Sequence, residues 1–358
     1  FFSFGINAQN STKNFSLEEY IVHWKNQNDI KGISISIQTK EGSETVVSGW
    51  KNATKDSIKK HDSFMISSVT KTFTAAAILK LAEKGVFKLN QSAARLSGLP
   101  IPEKITVSQL LHHEAGMPEY MGKSLSFDVF LKKHSQGKKA WSSEDIRSYA
   151  TKPNLIENAS FSYSNSHYIV LGSIIEKQYG KSLQVALDEL IFKPFHLKSA
   201  KLIKTASDTP NALGNSNNIK AILGTSEINS RLTQELATAG EAAGGMKINS
   251  SDLAKWVYLY FGDRFVGNIS FKDPKGNSAF GLNSERIKVG PGMYKVIYNK
   301  QKVRLHGGDG LGNTSLVMYD PAMDKSIAIL VNDDKIHSLG FGKSPFLDAL
   351  AIKILEHF

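Results

Sequence analysis

The chain has 358 residues, 41% of them hydrophobic and 22% charged, enough for a full core in one large or two closely packed domains. It contains no cysteine, which excludes disulfides and thiolate metal sites. The formal net charge is +11, but the lysines are scattered rather than gathered in one block. Anionic surfaces or substrates are therefore the expected attraction, and nucleic acid is not.

The opening residues Phe1-Phe2-Ser3-Phe4-Gly5-Ile6-Asn7-Ala8 are apolar. Residues 1–8 are expected to be a signal-peptide remnant with Ala8 at the cleavage site, although a frayed apolar terminus reads the same way. No apolar run reaches the roughly 18 residues of a spanning helix. The expectation is a secreted or periplasmic protein without stable membrane insertion.

Ser16-Leu17-Glu18-Glu19 is a capping-box pattern that opens a helix through Trp24. Gly32 to Gln38 alternates apolar and polar residues as a strand does, Glu41-Gly42 turns it, and Glu44 to Trp50 returns. A helix that begins near Ser68 carries Phe73, Ala76, Ala77, Leu79 and Leu81 on an apolar face and stops at Gly85. Further helices are expected over Val107–His113, Leu125–His134, Ser143–Tyr149, His167–Tyr179 and Leu183–Phe192, and from a cap at Ser250-Ser251-Asp252 through Tyr260. The Gly/Asn/Ser-rich stretch 206–247 reads as loops. Strands are expected again over Met293–Tyr298, Lys302–His306, Thr314–Tyr319 and Ser326–Val331. Ser344-Pro345 reads as the cap and first residue of a last helix. Strands at both ends around a helical middle imply an α/β fold: an antiparallel sheet flanked by helices (16–92 plus 265–358), with an all-helical insertion domain over 93–264.

Three short motifs carry chemistry. The first is Ser-x-x-Lys at Ser68 and Lys71. Residues at i and i+3 share a helix face, so the amine reaches the hydroxyl. A serine needs a base to become a nucleophile, and a lysine is a base only when burial or charge lowers its pKa. The same spacing recurs at Ser48/Lys51, Ser57/Lys60 and Ser135/Lys138, and a chance surface pair is the plain reading of any one. Context separates them: a strand end, a Lys-rich loop and a helix exit against the start of a long apolar helix. The second motif is Tyr163-x-Asn165, before a helix. A phenol of depressed pKa could relay protons there, and the amide could hold the lysine or the substrate backbone; taken alone, a buried Tyr and a helix-cap Asn is the plain reading. The third is His306-Gly307-Gly308-Asp309 at a strand end. Its glycines allow close approach of a substrate backbone, and His306 could donate to the Tyr163 oxygen or titrate near neutrality. His112-His113-Glu114 lacks the spacing of a metal motif, and neither a metal nor another cofactor is expected.

Ser-x-x-Lys, Tyr-x-Asn and His-x-Gly in this order resemble the penicillin-recognising serine hydrolases, which include class C β-lactamases, D-Ala-D-Ala carboxypeptidases, D-aminopeptidases and esterases. Leu110-Leu111-His112-His113-Glu114-Ala115-Gly116-Met117-Pro118 and Ala243-Gly244-Gly245-Met246 add to the likeness, which covers most of 16–358. The resemblance implies a β-lactamase-like fold, with Ser68 as nucleophile, Lys71 and Tyr163 as its base system, and Asn165 and His306 as positioners. It implies the backbone N–H groups of Ser68 and Asp309 as oxyanion hole, and Gly307, Gly308 and Asn165 as substrate contacts. The implied substrate is a small peptide, an ester or a β-lactam-like compound, and a domain that stays acylated without turnover is a rival. One departure matters. Where β-lactamases of this family carry Lys-Thr-Gly or Lys-Ser-Gly, this chain has no hydroxyl at Gly307 and an acid at Asp309. A substrate carboxylate is expected to be repelled, unless Lys300, Lys302 and Arg304, on the His306 face of the strand, form a cationic wall.

Overall fold

The computed structural model describes residues 16–121, 125–137, 140–151, 161–267, 269–274, 285–298, 300–341 and 345–358. Residues 1–8, Lys138 and Ser344 lie outside them. The first helix is α1 (Leu17–Gln27), closed at its start by the Ser16/Glu19 capping box. It leads into the hairpin β1 (Gly32–Gln38) and β2 (Ser43–Gly49), then a short β3 (Phe64–Met65) and helix α2 (Thr70–Glu83). Next come α3 (Ala93–Ser97), α4 (Val107–Leu111), α5 (Phe127–Ser135), α6 (Ser143–Ala150), α7 (Asn165–Tyr179) and α8 (Leu183–Leu187). Then follow β4 (Lys201–Leu202), α9 (Asn217–Leu223), α10 (Ser230–Gly244), β5 (Met246–Ile248) and α11 (Ser250–Tyr260). The chain ends with β6 (Ile287–Gly290), β7 (Met293–Tyr298), β8 (Gln301–Gly310), β9 (Asn313–Asp320), β10 (Lys325–Val331) and α12 (Leu347–His357).

Strands from both chain ends form one antiparallel sheet in the order β2-β1-β10-β9-β8-β7-β6. The N-terminal hairpin joins through β1 to β10, with Ile35 opposite Ile329. Both faces of the sheet are covered. On one, Ile33, Ile35, Val303, Leu305, Ile327 and Ile329 pack with Leu17, Ile21 and Trp24 of α1 and Leu350 and Ile354 of α12. On the other, Val317, Ala328 and Leu330 meet the helical layer. The serines of β1 therefore do not face water as the alternation suggests. Ser34 and Ser36 are buried, and their hydroxyls lie 2.8 and 2.7 Å from the Ser250 hydroxyl at the start of α11. A polar residue in a strand marks a wet face only where nothing covers it.

Helix α2 is the axis of the helical layer. From Thr70 to Ile78 every residue is buried, so it has no single apolar face. The Phe73 ring stacks on Trp256 of α11 with centroids 4.7 Å apart. Two expectations fail between 93 and 264. The stretch 206–247 is not loop: it holds α9 and α10, a 15-residue span kinked at Glu241, whose Leu232, Ala239, Ala242 and Ala243 are buried together with Thr233 and Glu235. Nor is the region wholly helical, because β4 and β5 join β3 in a small sheet of order β3-β5-β4. Some ends move as well. The cap of α11 is Asn249, whose side chain accepts from Asp252 N at 2.8 Å. Residues Asp188–Phe192 continue α8 as one π-helical turn. The last helix begins at Leu347 after Phe346, not at Pro345.

Candidate active site

Strand β3 ends at Met65, and a 3-10 turn over Ser67–Val69 carries Ser68 into α2. Ser67 absorbs the reversal with φ 46, a left-handed conformation that costs a non-glycine residue roughly 1–3 kcal/mol. The turn is tied down on both sides: Ile66 N donates to Met246 O at 3.0 Å, and Ser315 Oγ of β9 donates to Ile66 O at 2.8 Å.

The residues of the first two motifs converge here. Lys71 Nζ lies 3.0 Å from Ser68 Oγ, 2.6 Å from Asn165 Oδ1 and 2.7 Å from the Ala243 carbonyl. Tyr163 Oη lies 2.9 Å from Ser68 Oγ. The amine is fully buried beneath the rings of Tyr163 and Tyr168, 5.0 and 5.7 Å from their centroids. Burial lowers its pKa to about 7, against the opposing pull of the Glu119 charge. Near neutrality a large share of Lys71 is thus uncharged and holds a lone pair.

Two expectations about protons are overturned. Burial raises the Tyr163 phenol far above its ordinary value, more than the Ser68 bond lowers it, so Tyr163 is a neutral hydroxyl. His306 is pushed down to about 3 by burial first and by Lys71 second, so it is neutral rather than poised near pH 7. Its Nδ1 sits 2.6 Å from the Gly307 carbonyl, which only accepts. The proton is therefore on Nδ1, and Nε2 is an acceptor that cannot donate to Tyr163.

Sequence reasoning missed the groups behind these residues. Glu119 Oε2 accepts from the backbone N–H of Asn165 at 2.7 Å and from its Nδ2 at 3.0 Å, while Oε1 accepts from Met121 N at 2.8 Å. His113 holds Tyr163 in place: its carbonyl accepts from Ser162 N at 2.8 Å, its Nδ1 accepts from Ser164 N at 3.2 Å, and its ring lies 4.5 Å from the Tyr163 ring. Because that Nδ1 is an acceptor, His167 Nδ1, 3.1 Å away, carries the proton between them. Histidine 112 bonds the Ser108 carbonyl at 2.8 Å. The His112-His113-Glu114 run is structural, and no metal-binding cluster occurs among the described residues.

The third motif lines the other side. A side chain on Gly308 would come within 2.4 Å of the Ile66 carbonyl and 3.3 Å of Ser68 N, so glycine lets β8 run against the Ser68 turn. Gly307 faces the opposite way: a Cβ there would sit 2.2 Å from Ser338 Oγ. A threonine at 307 does not fit, and Ser338 already fills its place. Asp309 shares the Gly307 face and accepts from Ser338 N at 2.8 Å and from Ser338 Oγ at 2.7 Å, with His337 Nδ1 3.6 Å away. Its carboxylate is partly satisfied rather than bare. The cationic wall does not form around Arg304, which pairs with Asp263 at 2.7 Å and bonds the Phe261 carbonyl at 2.5 Å. Lys302 is exposed, and Lys300 lies in the turn before β8. The other Ser-x-x-Lys serines stay apart: Ser48 in β2, Ser57 at an exposed bridge to Trp50, Ser135 at the exposed end of α5.

A β-sheet backed by α1 and α12, a buried Ser-x-x-Lys helix and a facing Gly-Gly strand define the architecture of a β-lactamase-type serine hydrolase. The chain belongs to the Beta-lactamase family, whose model matches residues 18–349. Among curated proteins it is 29% identical over 153 residues to Penicillin-binding protein 4* of Bacillus subtilis (strain 168), covering 41% of this chain and 32% of that one. It is 23% identical over 278 residues to Protein flp of Staphylococcus aureus (strain N315), covering 75% of this chain and 52% of that protein. The match thus spans about a third to a half of the length of these relatives. Among solved structures, D-amino acid amidase from Ochrobactrum anthropi SV3, complexed with D-phenylalanine, superposes with a TM-score of 0.74 at 20% identity, covering 94% and 97% of the two chains. The octameric penicillin-binding protein homologue from Pyrococcus abyssi gives 0.71 at 24% identity, covering 94% and 76%. At these identities the superpositions establish the fold.

Proposed function

We propose that the protein hydrolyses small amides or esters through an acyl-enzyme on Ser68, with D-aminoacyl compounds as the preferred class. The reading rests on one observation: a fully buried Lys71, with a pKa lowered to about 7, lies 3.0 Å from Ser68 Oγ. In this reading neutral Lys71 takes the Ser68 proton as Oγ bonds to the substrate carbonyl carbon. The backbone N–H groups of Ser68 and Asp309 receive the developing oxyanion. The C–N or C–O bond then breaks, and the proton passes through Tyr163 to the leaving group. Water attacks the ester in the second half, its proton returns through Lys71, and Ser68 is regenerated. Asn165 and His306 position these groups, and Gly308 lets β8 lie against the Ser68 turn, so that the Asp309 N–H comes beside it.

Asp309 supports the choice of substrate. A negative charge beside the oxyanion position disfavours a substrate carboxylate and favours a neutral or ammonium-bearing one. The likeness to a D-stereospecific amidohydrolase from Streptomyces sp. and to the D-amino acid amidase points the same way. A carboxypeptidase or weak β-lactamase is the second reading, favoured by the penicillin-binding relatives. Export from the cytoplasm belongs to the same proposal, and cell fractionation checks it. Among the described residues no helix is long and apolar enough to cross a membrane.

A panel of D- and L-aminoacyl p-nitroanilides, p-nitrophenyl esters, a D-Ala-D-Ala peptide and nitrocefin tests the substrate. The expected order in kcat/KM places neutral esters or D-aminoacyl anilides above nitrocefin. Nitrocefin above every ester and anilide would overturn the substrate reading, and stoichiometric acylation without turnover would make the protein a sensor.

A further inference from the structure

Lys71 can act on Ser68 only if its lone pair points at the hydroxyl. An ammonium has three hydrogens, and three oxygens lie within reach: Ser68 Oγ, Asn165 Oδ1 and the Ala243 carbonyl. A neutral amine has two hydrogens and one lone pair. The Ala243 carbonyl accepts only, so it takes one hydrogen. Asn165 decides the rest, because an amide presents an acceptor on one side and a donor on the other. With Oδ1 toward Lys71 the second hydrogen is used there, and the lone pair falls on Ser68. With the amide flipped, Nδ2 would compete with Ser68 for the lone pair.

Glu119 sets that choice. Its Oε2 accepts from Asn165 Nδ2 at 3.0 Å and from the Asn165 backbone N–H at 2.7 Å. The backbone group is the first of α7 and has no partner inside the helix. A carboxylate cannot donate, so it can hold only the Nδ2 edge of the amide. Met121 N, donating to Oε1 at 2.8 Å, fixes the carboxylate in turn.

We propose that Glu119 is a positioning residue that orients the Asn165 amide and so aims the lone pair of Lys71 at Ser68. This rests on the reading of Lys71 as the base. Glu119 also acts through charge. The other groups around Lys71 are His113 before α5, Tyr163 and Tyr168 beside and within α7, and His306 on β8, and burial keeps them all neutral near pH 7. Glu119 is the carboxylate whose field favours the Lys71 ammonium.

The test is the pH dependence of kcat/KM for p-nitrophenyl acetate in the wild type and in Glu119→Gln, Glu119→Ala, Asn165→Ala and the Glu119→Ala/Asn165→Ala double variant. Glu119→Ala should lose about a hundredfold, the low end of what a positioned base contributes. The double variant should be no slower than Asn165→Ala alone, because both changes break one arrangement. In Glu119→Gln the negative charge is gone, the ammonium is less favoured, and the acidic limb should move to lower pH. Losses that multiply in the double variant, or an unmoved limb in Glu119→Gln, would overturn the proposal. If Glu119→Ala fails to fold by circular dichroism, the Glu119→Gln profile decides. Wild-type turnover in Lys71→Ala would instead refute the base reading itself.

Discussion

The two walls of the cleft are built on different principles. The wall made by α2 and α7 is buried and over-determined. Lys71 and Asn165 are locked by carbonyls, by Glu119 and by two tyrosine rings, and burial lowers the Lys71 pKa and keeps Tyr163 neutral. The wall made by β8 is thinner and wetter. Gly308 contributes only backbone, and the Asp309 and His337 side chains are about half and two-thirds exposed. The reacting groups need fixed orientation and a low dielectric, which only a packed interior supplies. The strand wall needs to admit a substrate and to reject others, which a short side chain or a charge can do. In the proposed mechanism the proton-handling groups Ser68, Lys71 and Tyr163 thus sit on the helical wall, while β8 offers His306, the Asp309 N–H and the Asp309 charge proposed for selection.

Two substitutions on the strand wall sharpen the contrast. Gly308→Ala should have the larger effect. Its Cβ meets the Ile66 carbonyl and Ser315 Oγ at 2.4 Å, so β8 and the Ser68 turn must separate. A loss of about a hundredfold in acylation rate is expected for misplacement on the 1 Å scale. Gly267→Ala, with open space at its Cβ, should leave the rate unchanged. Stopped-flow acylation of both variants, with melting curves as control, measures this. An active Gly308→Ala would mean that the strand does not line the reaction path.

Asp309→Asn should have the smaller effect. The amide can keep bonds to Ser338 while removing the charge. The ratio of nitrocefin to neutral-ester kcat/KM should rise by roughly five- to tenfold, the size of a charge pair partly screened by water. An unchanged ratio would show that the Asp309 charge does not act on the bound substrate. Gly307→Thr is not a clean way to add the missing hydroxyl, because Ser338 Oγ occupies the space.

The sequence made the helical wall legible because Ser-x-x-Lys and Tyr-x-Asn have fixed spacing and order, and His-x-Gly marked the facing strand β8 in the same way. Strand β1 was legible from the alternation of Ile with Ser, and β10 from its apolar run after the Asp320-Pro321 turn. What stayed hidden depends on burial or on lone residues. Glu119 follows Gly116-Met117-Pro118 in a loop, and a single acid after a proline carries no periodicity. Helix α10 is rich in Thr, Ala and Gly and reads as loop until Leu232 and its alanines find the core. The Tyr163 and His306 pKa values ran opposite to expectation because a spacing pattern contains no desolvation.

The most direct test is to locate the covalent bond. The wild type and Ser68→Ala are treated with a fluorophosphonate probe, and the modified peptide is sequenced by mass spectrometry. One adduct on Ser68 is predicted, absent in Ser68→Ala, together with a fall in turnover of roughly 10⁴ as for other activated serines. An adduct on Ser48, Ser57 or Ser135, or undiminished labelling of Ser68→Ala, would contradict the account.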